Sequence, residues 1–233
     1  MRSLFHFVAY HFTRFAAKSL CACVTRLQVM HAEKIRTPGA FILAANHISH
    51  FDPPIIATVV RRKVDWMALA EFFPYPVLGH ILRAIDCLPT DRHRADRAMI
   101  RNAIARLKSG RIVGMFPEGG IRDGARSVLE GAPLRPGVST LAHIAKVPIL
   151  PCVILGSDRL YAKTRWLPLR RTPVWIGFGE LIHHDADPDK HAARARTEEQ
   201  LAAAFRNLSA RMRVRFSLTP DDLPHPPEER ASR

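Results

Sequence analysis

Short apolar runs alternate with helix-period segments along most of this chain. Residues 41–45 (Phe41-Ile42-Leu43-Ala44-Ala45) follow Pro38-Gly39 and carry no polar side chain, as expected of a strand buried on both faces. The run ends at Asn46-His47. A helix is expected from Asp52, which would cap it, with Pro53 and Pro54 in its first turn and Val60 at its end. Residues 64–70 read as a second strand and 71–90 as irregular. Ile100, Ala103, Ile104 and Leu107 at i, i+3, i+4, i+7 predict an amphipathic helix over 91–110, stopped by Gly110.

Residues 112–116 predict a further strand, broken by Pro117-Glu118-Gly119-Gly120, and 121–136 a loop. A helix over 137–146 leads into the apolar run 147–155, a strand interrupted by Pro148 and Pro151. Residues 174–178 form one more. Thr197-x-x-Gln200 is a capping-box pattern, expected to open a final helix with Leu201, Phe205, Leu208 and Met212 on its core face. Strands alternating with helices predict an α/β fold, a single-domain layered sheet with flanking helices. Three regions follow: a helical segment over 1–30, a catalytic domain over 31–218, and a disordered tail over 219–233 with its four prolines.

Composition narrows the choice of partner. A length of 233 residues with 47% hydrophobic content supports one substantial core, and 24% charged residues argue against wholesale disorder. The net charge of +14 points to a polyanionic partner such as nucleic acid, an anionic bilayer, a phosphorylated substrate or an acidic carrier protein. Cys21, Cys23, Cys87 and Cys152 match neither a zinc site nor a disulfide framework, so a reducing, cytosolic setting is the plain reading. Residues 1–30 are apolar and aromatic, but Arg2, His6, His11, Arg14, Lys18 and Arg26 interrupt them. No stretch approaches the roughly 18 apolar residues of a spanning helix, or the unbroken core of a secretion signal. An amphipathic helix lying in the headgroup region fits this pattern; an ordinary core-packing helix is the alternative.

His47 and Asp52 are the first candidates for chemistry. A neutral imidazole can take a proton from an attacking hydroxyl, and a carboxylate on its other nitrogen fixes the tautomer. Spacing alone is weak support. With 12 His and 12 Asp in the chain, chance supplies roughly 0.6 such pairs, and His184 with Asp189 is a second one. That pair sits in a polar, proline-containing stretch whose plain reading is a solvated turn, with a metal site as the alternative. His47 differs because it closes a buried strand, where loops project functional groups. Glu118, Gly119, Gly120 and Arg122 form the second candidate, since glycine-freed amides and a guanidinium suit an anion. Read alone, they are also a tight turn with a surface arginine.

Taken together, these stretches resemble the glycerophospholipid acyltransferases. Asn46-His47-Ile48-Ser49-His50-Phe51-Asp52 looks like the family's first signature block, Phe116-Pro117-Glu118-Gly119 like its third and Val147-Pro148-Ile149-Leu150-Pro151 like its fourth, in order. The likeness runs from about residue 38 to about 180. It implies His47 as catalytic base and Asp52 as its partner. It places Asn46, Ser49, Glu118, Gly119, Gly120 and Arg122 around the substrate, and Pro148 near the acyl chain. The third block usually continues Thr-Arg-Ser, whereas Gly120-Ile121-Arg122 stands here, moving the arginine one place. For the second block, either Ile85-Asp86 or Leu88-Pro89-Thr90-Asp91-Arg92 can stand. Arg92 is the choice for the phosphate, because it opens a basic helix and helix N-termini attract phosphate.

The resemblance implies transfer of a fatty acyl group from acyl-CoA or an acidic acyl carrier protein to a lysophospholipid hydroxyl. The first expectation is 1-acyl-glycerol 3-phosphate giving phosphatidic acid, with another lysolipid (such as lyso-ornithine lipid) or glycerol 3-phosphate as alternatives. It implies no cofactor and no metal, and a peripheral or monotopic place on the cytoplasmic face of the membrane. Two other readings compete: hydrolysis of the thioester, and a non-enzymatic basic binder of membranes or nucleic acid. The second lacks a nucleic-acid motif, and no stacking aromatics are interleaved with its arginines.

Overall fold

Apolar runs too short for helices find their place in the middle of a parallel sheet. The computed structural model describes residues 2–91, 97–166, 171–185 and 187–225, and the side chains of these from residue 10 onward. Strands β1 (Thr25–Met30), β2 (Phe41–Ala45), β3 (Val64–Leu69), β4 (Leu88–Thr90), β5 (Ile112–Met115), β6 (Ile149–Leu155) and β7 (Thr172–Phe178) make one sheet in the order β1-β7-β6-β2-β5-β3-β4. Strands β6, β2, β5, β3 and β4 are parallel. β7 runs antiparallel to β6, and β1 pairs with β7 in its own direction. All residues of β2 and β6 are buried, because helices cover both faces of the sheet.

Each face has its own core. On one side the sheet packs against α4 (Arg97–Lys108), α5 (Gly137–Ala145) and α6 (Lys190–Arg215), with Leu107, Leu141, Leu201, Phe205, Leu208 and Met212 buried. On the other lie α1 (Arg2–Val24), α2 (Asp52–Val59) and α3 (Pro76–Ala84), with Ile55, Ile56 and Trp66 in that core. The expected layered α/β class with flanking helices is the one observed. Among the described residues, no helix is long and apolar enough to cross a membrane.

Several local expectations need correction. Residues 25–30, expected to continue the N-terminal helix, form β1 instead, because the open edge of β7 offers their backbone a ladder from Thr172 to Gly177. The sheet therefore begins inside the segment set apart as 1–30. Within the stretch read as irregular, Pro76 opens α3, whose Leu82 reaches the core. The capping box at Thr197 does not start a helix. α6 begins seven residues earlier, where the Asp189 carboxylate accepts from the amides of His191 and Ala192, and Thr197 donates to the carbonyl of Ala193. Asp189 thus has a structural explanation as a helix cap.

Pro151 does not break β6. It sits where the β6–β7 pairing shifts by one residue, from Cys152 opposite Phe178 to Ile149 opposite Ile182. Residues 219–225, expected as the start of a disordered tail, form a turn over Pro220–Asp222 docked against the loop after β6. Residues 226–233 lie outside the described residues.

Candidate active site

β2 and β5 are neighbouring parallel strands, and both end at the same edge of the sheet. The first delivers Asn46-His47 there and the second Phe116-Pro117-Glu118, which is the edge where open α/β sheets gather ligands. His47 Nδ1 lies 2.9 Å from Asp52 Oδ2. The imidazole is 15% exposed, whereas the carboxylate is wholly buried, so the ring is open to a reactant and its partner is not.

Asp52 stands in the first turn of α2 but, contrary to expectation, does not cap it. Its Oδ2 accepts from the amides of Ile48 and Ser49, each at 2.8 Å, and its Oδ1 from the Ser157 hydroxyl. Four donors therefore hold a carboxylate that burial would otherwise penalise. With Nδ1–H directed at Asp52, the neutral ring presents the Nε2 lone pair to its open side.

The third block holds the peptide of His47 at both ends. Glu118 Oε2 accepts from His47 N at 2.6 Å, and Arg122 N donates to His47 O at 2.8 Å. The other oxygen of Glu118 accepts from Ser127 Oγ and Val128 N. Glu118 is buried, and that burial pushes its carboxyl up; the bonds from His47, Val128 and Ser127 oppose the shift. Both oxygens of Glu118, expected to lie at the substrate, are thus engaged within the protein and tie the His47 backbone to the 127–128 turn. A ring stack adds a third restraint. His47 lies on Phe116 with centroids 4.0 Å apart, and Phe116 on Trp66 at 5.0 Å. Gly114 makes this possible, since a Cβ there would come within 2.5 Å of the Trp66 ring.

The remaining expected site residues divide sharply. Asn46 is buried and exchanges two hydrogen bonds with the Ile154 backbone, Nδ2 donating at 3.0 Å and Oδ1 accepting at 2.8 Å. It ties β2 to β6 and has no surface left for a substrate. Ser49 is equally buried, its hydroxyl accepting from Phe51 N. Pro148 precedes β6 at the opposite edge, its carbonyl accepting from Ile42 N. It lies about six residues of strand, or ~20 Å, from His47, and the far end of the fourth block, Pro151, pairs with Ala44, three residues before His47.

Gly119 adopts φ +69, and a Cβ on it would meet the Arg135 side chain at 2.4 Å. Gly120 lies under the Arg122 guanidinium. Among the described residues neither guanidinium pairs with a carboxylate. Arg92 lies outside the described residues. β4, which precedes it, ends at the His47 edge three strands along from β2, whereas the competing Asp86 sits at the opposite edge against Lys63. Sequence reasoning missed Arg135, whose amide donates to Pro117 O at 2.9 Å, and Ser157, which is 105 residues from Asp52. Nothing in local spacing marks either one.

The thiols of Cys87 and Cys152 are buried, and burial raises both, Cys87 to about 12, which removes them as nucleophiles. What the edge does offer is an oriented proton acceptor beside two guanidinium groups that no carboxylate among the described residues pairs, an arrangement able to activate a hydroxyl on an anionic molecule.

Comparisons with known proteins agree with that chemistry. A family model described as Acyltransferase matches residues 26–155. A 1-acyl-sn-glycerol-3-phosphate acyltransferase of Bacillus subtilis (strain 168) is 26% identical over 208 residues, covering 88% of this chain and 95% of that protein. An uncharacterized protein of Mycobacterium tuberculosis (strain ATCC 25618 / H37Rv) is 30% identical over 58% of this chain and 39% of its own length. The crystal structure of the 1-acyl-sn-glycerophosphate acyltransferase PlsC from Thermotoga maritima superposes with a TM-score of 0.66 at 25% identity, over 88% of this chain and 80% of that one. Fold and relatives together define an O-acyltransferase of lipid biosynthesis. The chain belongs to the acyltransferase family, and within it to the glycerophospholipid acyltransferases.

Proposed function

We propose that this enzyme transfers a fatty acyl group from acyl-CoA or acyl carrier protein to the free hydroxyl of 1-acyl-glycerol 3-phosphate, giving phosphatidic acid. The observation that carries the reading is the His47–Asp52 pair, with its buried carboxylate and partly exposed imidazole. Nε2 takes the acceptor's hydroxyl proton as that oxygen attacks the thioester carbonyl. The C–O bond forms, the C–S bond breaks, and the departing thiolate recovers the proton from the imidazolium. Asp52 stabilises the ring while it is charged. The thioester is already activated, so the scheme calls on no cofactor.

Arg122 and Arg135, over the glycine turn beside His47, suit the acceptor's phosphate. Thiol release from acyl-CoA and from acyl carrier protein, measured across a panel of lysolipids and glycerol 3-phosphate, tests the assignment. Release should depend on added 1-acyl-glycerol 3-phosphate; equal release without acceptor would mean hydrolysis. Arg122→Ala should raise the acceptor KM roughly tenfold or more and leave the donor KM unchanged. An unaltered acceptor KM removes Arg122 from the phosphate site.

The place of action in this reading is the membrane surface on the cytoplasmic side. Phe12, Phe15 and Leu20 stand exposed on α1, and Tyr75, Val77, Leu78 and Ile81 on the neighbouring α3. Residues 1–32 and 72–85 contain no acidic side chain, while Lys18, His80 and Arg83 lie exposed among the apolar groups. Such a face suits an anionic bilayer. Replacing Phe12 and Phe15 by serine should reduce flotation with anionic vesicles by roughly tenfold or more. Undiminished binding would count against this face.

A further inference from the structure

A short turn after β6 touches the catalytic loop twice. Residues Ser157–Tyr161 follow Gly156, whose φ of +82 and close approach to Pro173 O admit no side chain. At one end of the turn the fully buried Ser157 donates its hydroxyl to Asp52 Oδ1. At the other, the Tyr161 hydroxyl accepts from His50 N at 3.0 Å and contacts His50 Nδ1, while its ring packs on Phe51. Loop residues 47–52 are thus held against this turn by Asp52 and by His50.

The middle of the same turn is gripped by the C-terminal segment. Arg159 donates to Asp222 Oδ1 at 2.8 Å and to the carbonyl of Asp221, and Asp158 Oδ2 accepts from His225 N at 3.2 Å. The Arg159–Asp222 pair is largely shielded, with 14% and 20% of the two side chains exposed, so solvent weakens it less than an open surface pair. Thr219 anchors the segment from within, its amide and hydroxyl both donating to Asp222 Oδ2.

We propose that Ser157 is a positioning residue for the base, and that the C-terminal turn, through Asp222 and Arg159, sets where Ser157 stands. The inference rests on His47 and Asp52 acting as proposed above. A carboxylate with its fourth donor removed can rotate about its own bond, and the imidazole it orients then spends less time aligned with the acceptor hydroxyl. Geometry of this kind affects the chemical step and leaves substrate affinity alone.

The test is steady-state transfer by the full chain, comparing Ser157→Ala, Asp222→Ala, the milder Asp222→Asn, and each aspartate change combined with Ser157→Ala, with folding checked by circular dichroism. Ser157→Ala should lower kcat about tenfold, with donor and acceptor KM within about twofold of the parent. Asp222→Ala should lower kcat about threefold, and by nothing further once Ser157 is alanine. In an Asp52→Asn background, Ser157→Ala should change nothing. Full activity of Ser157→Ala, losses that multiply in the double variants, or effects confined to KM would overturn the proposal. Retained turnover in His47→Ala would instead overturn the reading beneath it, so the two failures are distinguishable.

Discussion

Replacing His47 by alanine is expected to lower turnover at least about a thousandfold while leaving the fold and vesicle binding as they are. The size follows from what the ring supplies, since a neutral alcohol attacks a thioester poorly unless its proton leaves in the same step. The selectivity follows from where the ring sits. His47 lies just past the end of β2, stacked on Phe116 and partly exposed, and it belongs to neither hydrophobic core. Asp52 loses one donor but keeps Ile48 N, Ser49 N and Ser157 Oγ, so the buried carboxylate is not stranded. Thiol release in the presence of 1-acyl-glycerol 3-phosphate, with thermal unfolding and flotation measured on the same sample, checks all three parts. Turnover within tenfold of the parent would remove His47 as the base.

Glu118→Gln, nominally conservative, is expected to cost about 2 kcal/mol of stability and to reduce kcat roughly tenfold or more. All three partners of this side chain act as donors: His47 N to one oxygen, Ser127 Oγ and Val128 N to the other. A carboxylate accepts on both sides. An amide accepts on one side only, so either orientation of glutamine points an N–H at a backbone N–H. One buried donor is then unsatisfied, and where it is His47 N the base itself shifts. Ser127 can turn its hydroxyl to accept; neither backbone amide can. Denaturant unfolding and kcat measured together decide the matter. Parent-like values in both would mean that Glu118 does not hold the loop as described.

Elements whose identity depends on local pattern were legible in the chain. β2 and β5 are continuous apolar runs bounded by glycine and proline, and α4 repeats its apolar positions through Ala103 and Leu107 before Gly110 stops it. Elements that depend on a distant partner were not. Residues 25–30 carry a helix-compatible sequence and became a strand because β7 had an open edge. The Thr197 pattern matches a helix start in form, but the stronger cap at Asp189 lies upstream, and nothing between them ends the helix.

The site divides along the same line. The chain alone marked His47 and Asp52, because a signature tied to the end of a buried strand is local information, and two further family blocks followed in order. It could not tell which residues of those blocks face a reactant. Asn46, Ser49 and Glu118 have polar side chains that suit a substrate equally well, yet the fold uses them for Ile154, for the loop itself, and for His47, Ser127 and Val128. A polar group's role depends on who sits opposite, and burial decides that only after strands from distant parts of the chain have paired. Ser157 and Arg135 show the converse, ordinary residues brought to the His47 edge by β6 and by the loop beyond β5. Sequence by itself marked the His47–Asp52 pair and the elements of strong local pattern around it, β2, β5 and α4 among them. Tertiary structure alone decided what holds that pair in place, because hydrogen bonds between segments as far apart as 105 residues leave no periodic trace in the chain.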